Sequence, residues 1–429
     1  MNRAELSYSR SSFAVARPTI ILAGALCALA AFFGQTRLAA ALMFVFLFAL
    51  VARLWAHLAA RRVTVEVSAP ECGLFPGDEL CFGLTAKNDK FLPLIWLEVF
   101  APVAANRCLL PADGREPDDW EFAGLQEQGA ATDIVGEKRL PFLLWYETAE
   151  AQMRWRAEKR GLYSMESWRI RTGDGFGLAQ LEWPLDEADR QTVAVYPRLV
   201  EVSPELFLRN LWNSENGARG VMADPTVIRS TRDYLPTDSV RRINWRLAAR
   251  GLPLTVNVYE EILPKSAHFI FDGSSFFRTA PHFEELEDAL SVLASLCVRL
   301  ETLEVRCGLS LSGTGDAPPV SLFAGAGAGT EDLLRAMAAY EPPQLVYDRE
   351  KEKYVCPPPR FDEAELLDAA RQAGRFYWVT YDAPALREQH LPETLGRGAV
   401  TVLTYVEGEP FGDFETVCLT QLKEVKRHG

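Results

Sequence analysis

The chain has 429 residues, long enough for two or three domains that each bury a core. Its formal net charge of −13 at pH 7 argues against general nucleic-acid binding, which leaves a basic footprint, so no nucleic-acid partner is expected. Eight cysteines without a CxxC pair and five scattered histidines lack metal-ligand spacing, and they fit a reducing compartment better than a disulfide framework.

Residues 1–17 are polar and carry Arg3, Arg10 and Arg17. Two apolar runs follow, Thr19–Gly34 and Leu38–Leu58, separated by Gln-Thr-Arg. Each is near the length that crosses a bilayer, the first on the short side, and residues 18–60 are predicted to form a transmembrane helical hairpin. A cleaved signal peptide is the alternative for the first run. Arg3, Arg10 and Arg17 before the hairpin and Arg53, Arg61 and Arg62 at its end outnumber Arg37 in the turn. The positive-inside rule then places both ends, and the rest of the chain, in the cytoplasm.

From residue 63 to about 200 the pattern changes to short alternating runs. Val63-Thr-Val-Glu-Val, Leu80–Ala86, Ile95–Phe100 and Trp168–Arg171 read as strands, and Phe75-Pro-Gly-Asp and Asn88-Asp-Lys as turns. That spacing predicts an antiparallel β-sandwich. Asn106–Gly136 is acidic and turn-rich, and reads as a loop or insertion.

Residues 201–262 form a linker around an unusually basic stretch, with Arg229, Arg232, Arg241, Arg242, Arg246 and Arg250 close together in an acidic protein. Tyr234-Leu235-Pro236 is extended, since the residue before proline leaves the helical region. Asp238 is placed to cap a helix from about Ser239 to Arg250, with Gly251 as its stop and Val240, Ile243 and Leu247 on a buried stripe. Leu254–Tyr259 alternates as a strand does. The arginines have three readings: pairs with Asp233, Asp238, Glu260 and Glu261, a docking surface for an acidic partner, or a site for phosphate. Trp245 reads as a core or interdomain aromatic.

This stretch resembles the signature of the DUF58 family, through Arg229, Ser230, Arg232, Tyr234, Pro236, Asp238, Arg241, Arg242, Ile243, Trp245, Ala249 and Arg250. Asn244 stands where the family has an acidic residue. Arg160-Gly-Leu-Tyr, Thr172-Gly-Asp-Gly-Phe-Gly-Leu and Val195-Tyr-Pro-Arg-Leu resemble further family elements, with Gly175 in place of a proline. On their own, Gly161, Gly175 and Gly177 read as turn formers. The resemblance implies a bacterial membrane-anchored protein with a von Willebrand factor A-like domain and a MoxR-type AAA+ ATPase as partner.

Residues 263–429 alternate strands and helices. Ala267–Phe271, Glu304–Leu311, Arg375–Thr380 and Ala399–Tyr405 read as strands, and Phe283–Thr302, Thr330–Tyr340 and Asp362–Ala373 as helices. Glu341–Arg360 reads as a loop. The alternation predicts a doubly wound α/β domain. Ligands of such sheets gather at the carboxyl ends of strands, where Asp272 and Asp382 stand. Domains of the resembled kind often hold Mg²⁺ there with an Asp-x-Ser-x-Ser loop, a threonine and a second aspartate. Asp272, Ser274, Thr330 and Asp382 match, but the last serine position is Phe276, which has no oxygen to offer Mg²⁺ or Mn²⁺. Gly325–Thr330 is glycine-rich ahead of a helix yet lacks the lysine of a phosphate loop. Two functions are open at this point: a non-enzymatic membrane-anchored adaptor that positions the ATPase for assembly or maturation of an envelope complex, and a divalent-metal-dependent, hydrolase-like enzyme using Asp272 and Asp382.

Overall fold

A computed structural model describes residues 7–11, 17–69, 73–104, 106–112, 135–140, 142–186, 190–203, 223–236, 238–240, 243–261, 266–313, 318–323, 329–343, 345–348, 353–362, 364–366, 376–388, 400–408 and 414–423. The chain divides into two compact units, Met1–Pro197 and Arg198–Gly429.

The first unit is a two-sheet antiparallel sandwich, as the alternating runs predict. Strand β1 (Ser7–Ser11) precedes helices α1 (Arg17–Phe32) and α2 (Thr36–Ala59), and then come β2 (Val63–Ser68), β3 (Glu79–Asn88), β4 (Leu97–Pro102), β5 (Leu109–Pro111), β6 (Val135–Leu140), β7 (Thr148–Ala157), β8 (Gly161–Ser164), β9 (Arg169–Gly173), β10 (Ala179–Pro184) and β11 (Thr192–Val195). One sheet runs β1-β10-β9-β4-β6, the other β2-β3-β7-β5, and β11 pairs with β8. Strand β2 buries every second side chain, the pattern of a sheet with one face in the core. At the centre of that core Phe82 meets Trp155 and Trp168 edge-on. The Trp168 indole donates to Tyr163 Oη (2.9 Å), which donates to the Pro102 carbonyl (3.0 Å). Both polar tips are thereby satisfied where water is excluded.

Strand β1 pairs with β10 from Ser7 opposite Glu182 to Ser11 opposite Ala179. The segment ahead of the helices and the strand after them therefore belong to one sandwich, and both ends of the hairpin lie on its side. Polar residues 7–11 gave no sign of this; they read only as a charged tail. Between Asn106 and Gly136, read as a loop, the chain forms β5 and the start of β6.

The predicted pair of transmembrane helices is corrected. Among the described residues, only Thr36–Ala59 is long and apolar enough to cross a membrane; the first helix is the shorter apolar segment Pro18–Phe32. At 1.5 Å per residue that segment reaches about 22 Å, against about 30 Å of hydrocarbon. The physical reason is the break at Phe33–Gln35, where Gly34 takes a positive φ and the chain reverses. Counting the apolar run through Gly34 overstated the helix.

The second unit contains β12 (Ala223–Asp233), α3 (Trp245–Ala248), β13 (Thr255–Glu261), β14 (Ser266–Phe271), α4 (Phe283–Thr302), β15 (Arg306–Leu311), β16 (Val320–Leu322), α5 (Thr330–Ala339), β17 (Val346–Asp348), β18 (Lys353–Val355), β19 (Phe376–Thr380), β20 (Val400–Thr404) and β21 (Glu415–Cys418). A six-stranded sheet runs β16-β15-β14-β19-β20-β21, and β12 with β13 and β17 with β18 form separate ribbons. The expectation of a doubly wound domain, with helices on both faces, is corrected as well. The sheet is mixed, since β16 runs antiparallel to β15 at the edge. Among the described residues its α-helices longer than one turn are α4 and α5, which pack on each other. Period-two and period-3.6 runs in alternation reveal strands and helices, but not the face on which each helix lies.

Candidate functional site

The predicted cation loop lies where β14 ends. Asp272 is buried, and its backbone N–H donates to the Val379 carbonyl (2.9 Å) on the neighbouring parallel strand. Its Oδ1 accepts the Ser274 amide (3.1 Å). Ser275 donates to the Asp272 carbonyl (2.6 Å), and its Oγ accepts the Tyr381 amide (2.9 Å). Asp272, Ser274 and Asp382 are thus brought to adjacent strand ends, as β14 and β19 pair in register Phe271 to Val379. The Asp382 carboxylate faces the Arg278 guanidinium at 3.6 Å. Phe276 is buried between Phe271, Tyr381 and Tyr405 as a packing residue. Thr330 opens α5, and Gly325–Gly327 lie outside the described residues. No group of three or more His, Cys, Asp or Glu side chains converges among the described residues. The donor set therefore amounts to two carboxylates and a serine hydroxyl, with one carboxylate already facing a cation.

Beside this loop stands a network that the sequence reading missed. The His282 ring stacks on Tyr381 at 4.4 Å, and its Nδ1 lies 3.2 Å from Glu285 Oε1. Tyr405 stacks on Tyr381 and donates to Asp288 Oδ2 (2.9 Å), which also pairs with the Lys423 ammonium. Burial and the Asp288 carboxylate push the Tyr405 phenol upward, so it stays a donor at neutral pH. His282, just ahead of α4, and Glu285 and Asp288 within it recur every three residues and are half-buried. That spacing was readable; their meeting with Tyr405 and Lys423 across the fold was not.

The arginine-rich stretch begins in β12 of an antiparallel ribbon, β12 against β13, and continues through the segment that links the two strands, rather than forming a long helix. Asp238 accepts two bonds from Arg232, at 2.7 and 2.6 Å, and one from the Leu235 amide (2.9 Å). This bidentate pair is one of the pairings the sequence suggested, and it claims the carboxylate that a helix N-terminus would need. The one-turn helix α3 begins instead at Trp245, with Asn244 Oδ1 accepting the Leu247 amide (3.1 Å) and Asn244 Nδ2 donating to Asn257 (2.8 Å). Asn244, the departure from the family pattern, is the cap. Ile243 is buried and bridges to Val256, but Val240 is exposed, so the expected buried stripe does not form. Trp245 is 59% exposed and is not a core aromatic. Tyr234 and Pro236 lie in the turn after β12, with the Tyr234 amide donating to the Leu254 carbonyl (2.9 Å). Arg229 lies in β12, Arg250 follows α3, and Arg241 and Arg242 lie outside the described residues.

The glycine element beginning at Thr172 behaves as a turn former. Asp174 Oδ1 accepts the Leu178 and Ala179 amides (2.9 and 3.2 Å), and Gly177 has φ +73. On the neighbouring loop, burial lowers the Lys90 ammonium to about 8.

No protein-family model matches the chain. The uncharacterized protein YeaD of Bacillus subtilis (strain 168) is 25% identical over 226 residues, covering 52% of this chain and 49% of its own length. The chain thus spans about half the length of that curated relative. Among solved structures, the CARDB domain of a Pyrococcus furiosus protein aligns over 31% of this chain and 91% of its own, at 14% identity and a TM-score of 0.18. The sporulation control protein Spo0M of Bacillus subtilis aligns over 56% of this chain and 98% of its own, at 14% identity and a TM-score of 0.18. Scores this low carry no argument, and the sandwich rests on its own strand pairing.

Proposed function

We propose that this chain is a membrane-anchored, non-enzymatic adaptor of the DUF58 kind, which docks a MoxR-type AAA+ ATPase through the β12–β13 ribbon. Its site is the cytoplasmic membrane of a bacterium, with both units on the cytoplasmic side, which the arginines flanking the apolar helices favour. The work served is assembly or maturation of a complex at the envelope. One observation carries this reading. The segment that links the two strands of the ribbon holds Trp245, Val240, Leu235 and Leu254 in solvent, interleaved with Arg246 and Arg250 and next to Arg232 at the end of β12. Exposed tryptophan beside arginine is the composition of protein-binding hot spots.

A hydrolase centred on Asp272 is less well supported, because Phe276 replaces an oxygen donor and Asp382 already faces Arg278. The binding experiment uses the full chain in nanodiscs and a purified MoxR-type ATPase, with and without ATP. Trp245→Ala is expected to weaken association by roughly 30-fold, the effect of losing about 2 kcal/mol at a hot spot. Equal binding by wild type and Trp245→Ala would remove the ribbon from the interface. No binding by either would remove the ATPase, and a melting shift with Mg²⁺ or Mn²⁺ that Asp272→Ala abolishes would then favour the metal reading.

A further inference from the structure

The end of the sandwich that meets the hairpin is built unlike the rest of the unit. Asn88, at the end of β3, pairs with Val63 at the start of β2, and the Asp89 amide donates to the Arg62 carbonyl (3.0 Å) just after α2. The β3–β4 loop is therefore at the hairpin end. The β6–β7 loop is there too, because Lys87 pairs with Thr148. So is the β9–β10 loop, since Leu97 at the start of β4 pairs with Thr172.

These three loops hold Phe91, Phe142, Trp145, Tyr146 and Phe176 out of the core, with Phe91 74% and Phe176 68% exposed. They are fixed in place. Asn88 Nδ2 donates to the Leu92 and Leu144 carbonyls (3.0 and 2.8 Å), tying two loops together. Leu94 and Leu143 exchange backbone bonds, and Phe91 stacks on Trp145 at 5.6 Å. Tyr146 takes φ +56, a strained conformation for an aromatic residue that this packing over-determines. Asp174 pins the third loop, which projects Phe176 against Phe48 of α2 at 5.0 Å.

What covers these rings follows from α2. Its alanines Ala49, Ala56 and Ala59 sit in the sandwich core, so the C-terminal part of the helix is docked on protein. The part ahead of them, Thr36 to Leu47, reaches about 18 Å, well short of about 30 Å of hydrocarbon. A bilayer that receives the exposed Met43, Phe44 and Leu47 also meets the loops, because Phe176 lies against Phe48 and continues the apolar surface of α2.

We infer that the sandwich rests directly on the bilayer, with Phe91, Trp145, Tyr146 and Phe176 immersed in the lipid interface as a second attachment beside the hairpin. Tryptophan and tyrosine suit that depth, where an apolar ring and a polar tip are both accommodated. This inference rests on the membrane-anchored reading, and the experiment separates the two.

The full chain is reconstituted in liposomes whose phosphatidylcholine is brominated near the headgroup end of its acyl chains. Flotation reports anchoring. Tryptophan emission is compared between wild type and Trp145→Phe, and the difference reports Trp145 alone. That difference emission is expected to fall by at least about half with brominated lipid and to resist aqueous iodide, since interfacial tryptophan sits at headgroup level. Quenching by iodide and not by brominated lipid would overturn the inference in favour of a face in water. Quenching by neither would overturn it in favour of a second copy of the chain or another protein covering the rings. A chain that does not float would instead end the membrane-anchored reading.

Discussion

Two parts of the molecule hold large apolar side chains out of their cores, and the difference lies in what stands between them. From Leu38 to Val51 on α2 no charged residue interrupts the exposed Met43, Phe44, Val45 and Leu47. In the segment that links β12 and β13, Val240, Trp245 and Leu254 are separated by arginines. An uninterrupted apolar surface of that extent is compatible with lipid, where each charge costs heavily. A mixed surface keeps its hydration until a complementary protein displaces the water. Exposure alone does not identify a partner; the charges beside it do.

The strongest way to break this comparison is to put charge on the first surface. Phe44→Arg with Leu47→Arg is expected to move the chain from the membrane pellet to the supernatant, since each arginine costs about 3 kcal/mol at a bilayer centre. Both side chains point away from the sandwich core, so the circular dichroism of the strands should be unchanged. A pellet that survives the double change would mean that α2 is covered by protein.

The two units also differ in their buried bases, which sharpens the contrast. His268, in β14 of the second unit, bonds Ser310 at 2.8 Å between Phe323 and Phe376, and burial lowers it to about 4. The unfolded chain, with its histidine near 6.5, binds the extra proton first, so stability is full above 6.5 and falls as pH drops toward 4. The loss from this group is expected to reach about 3 kcal/mol, read from denaturant melts of the second unit, and His268→Asn should flatten it. Lys90 in the first unit works in another window; its Nζ is buried and meets no hydrogen-bond partner among the described residues. Its folded value near 8 lies below the unfolded 10.5, so stability rises between those values, and Lys90→Met should raise the melting temperature by a few degrees at neutral pH. A Lys90→Met variant that melts lower would show that an anionic group meets the ammonium.

Much of this fold was legible because burial leaves a period in the chain. Helix α4 occupies Phe283–Thr302 as its leucine spacing predicts, and β2, β3 and β14 fall where alternating or apolar runs place them. What failed depends on partners distant in sequence. Ser7–Ser11 is polar and becomes a strand only because β10 presents an edge to it. The helix expected after Asp238 is interrupted by contacts distant in sequence, as Ile243 bridges to Val256 and Arg232 holds the Asp238 carboxylate. At the candidate site the aspartates at strand ends were readable from position, whereas Arg278 opposite Asp382 and the Tyr381–Tyr405 stack come from packing that no local pattern encodes. Trp245 was misplaced for the same reason: large aromatics are buried more often than not, and only the ribbon geometry shows this one in solvent.

Hydrogen–deuterium exchange of the full chain in nanodiscs, with and without the ATPase, tests the central claim most directly. The account predicts that residues 89–95, 142–147 and 174–178 are protected by the bilayer and indifferent to the ATPase, while residues 243–254 exchange no differently with lipid and slow when the ATPase is added. Protection of the sandwich loops by the ATPase, or of the ribbon by lipid alone, would contradict it.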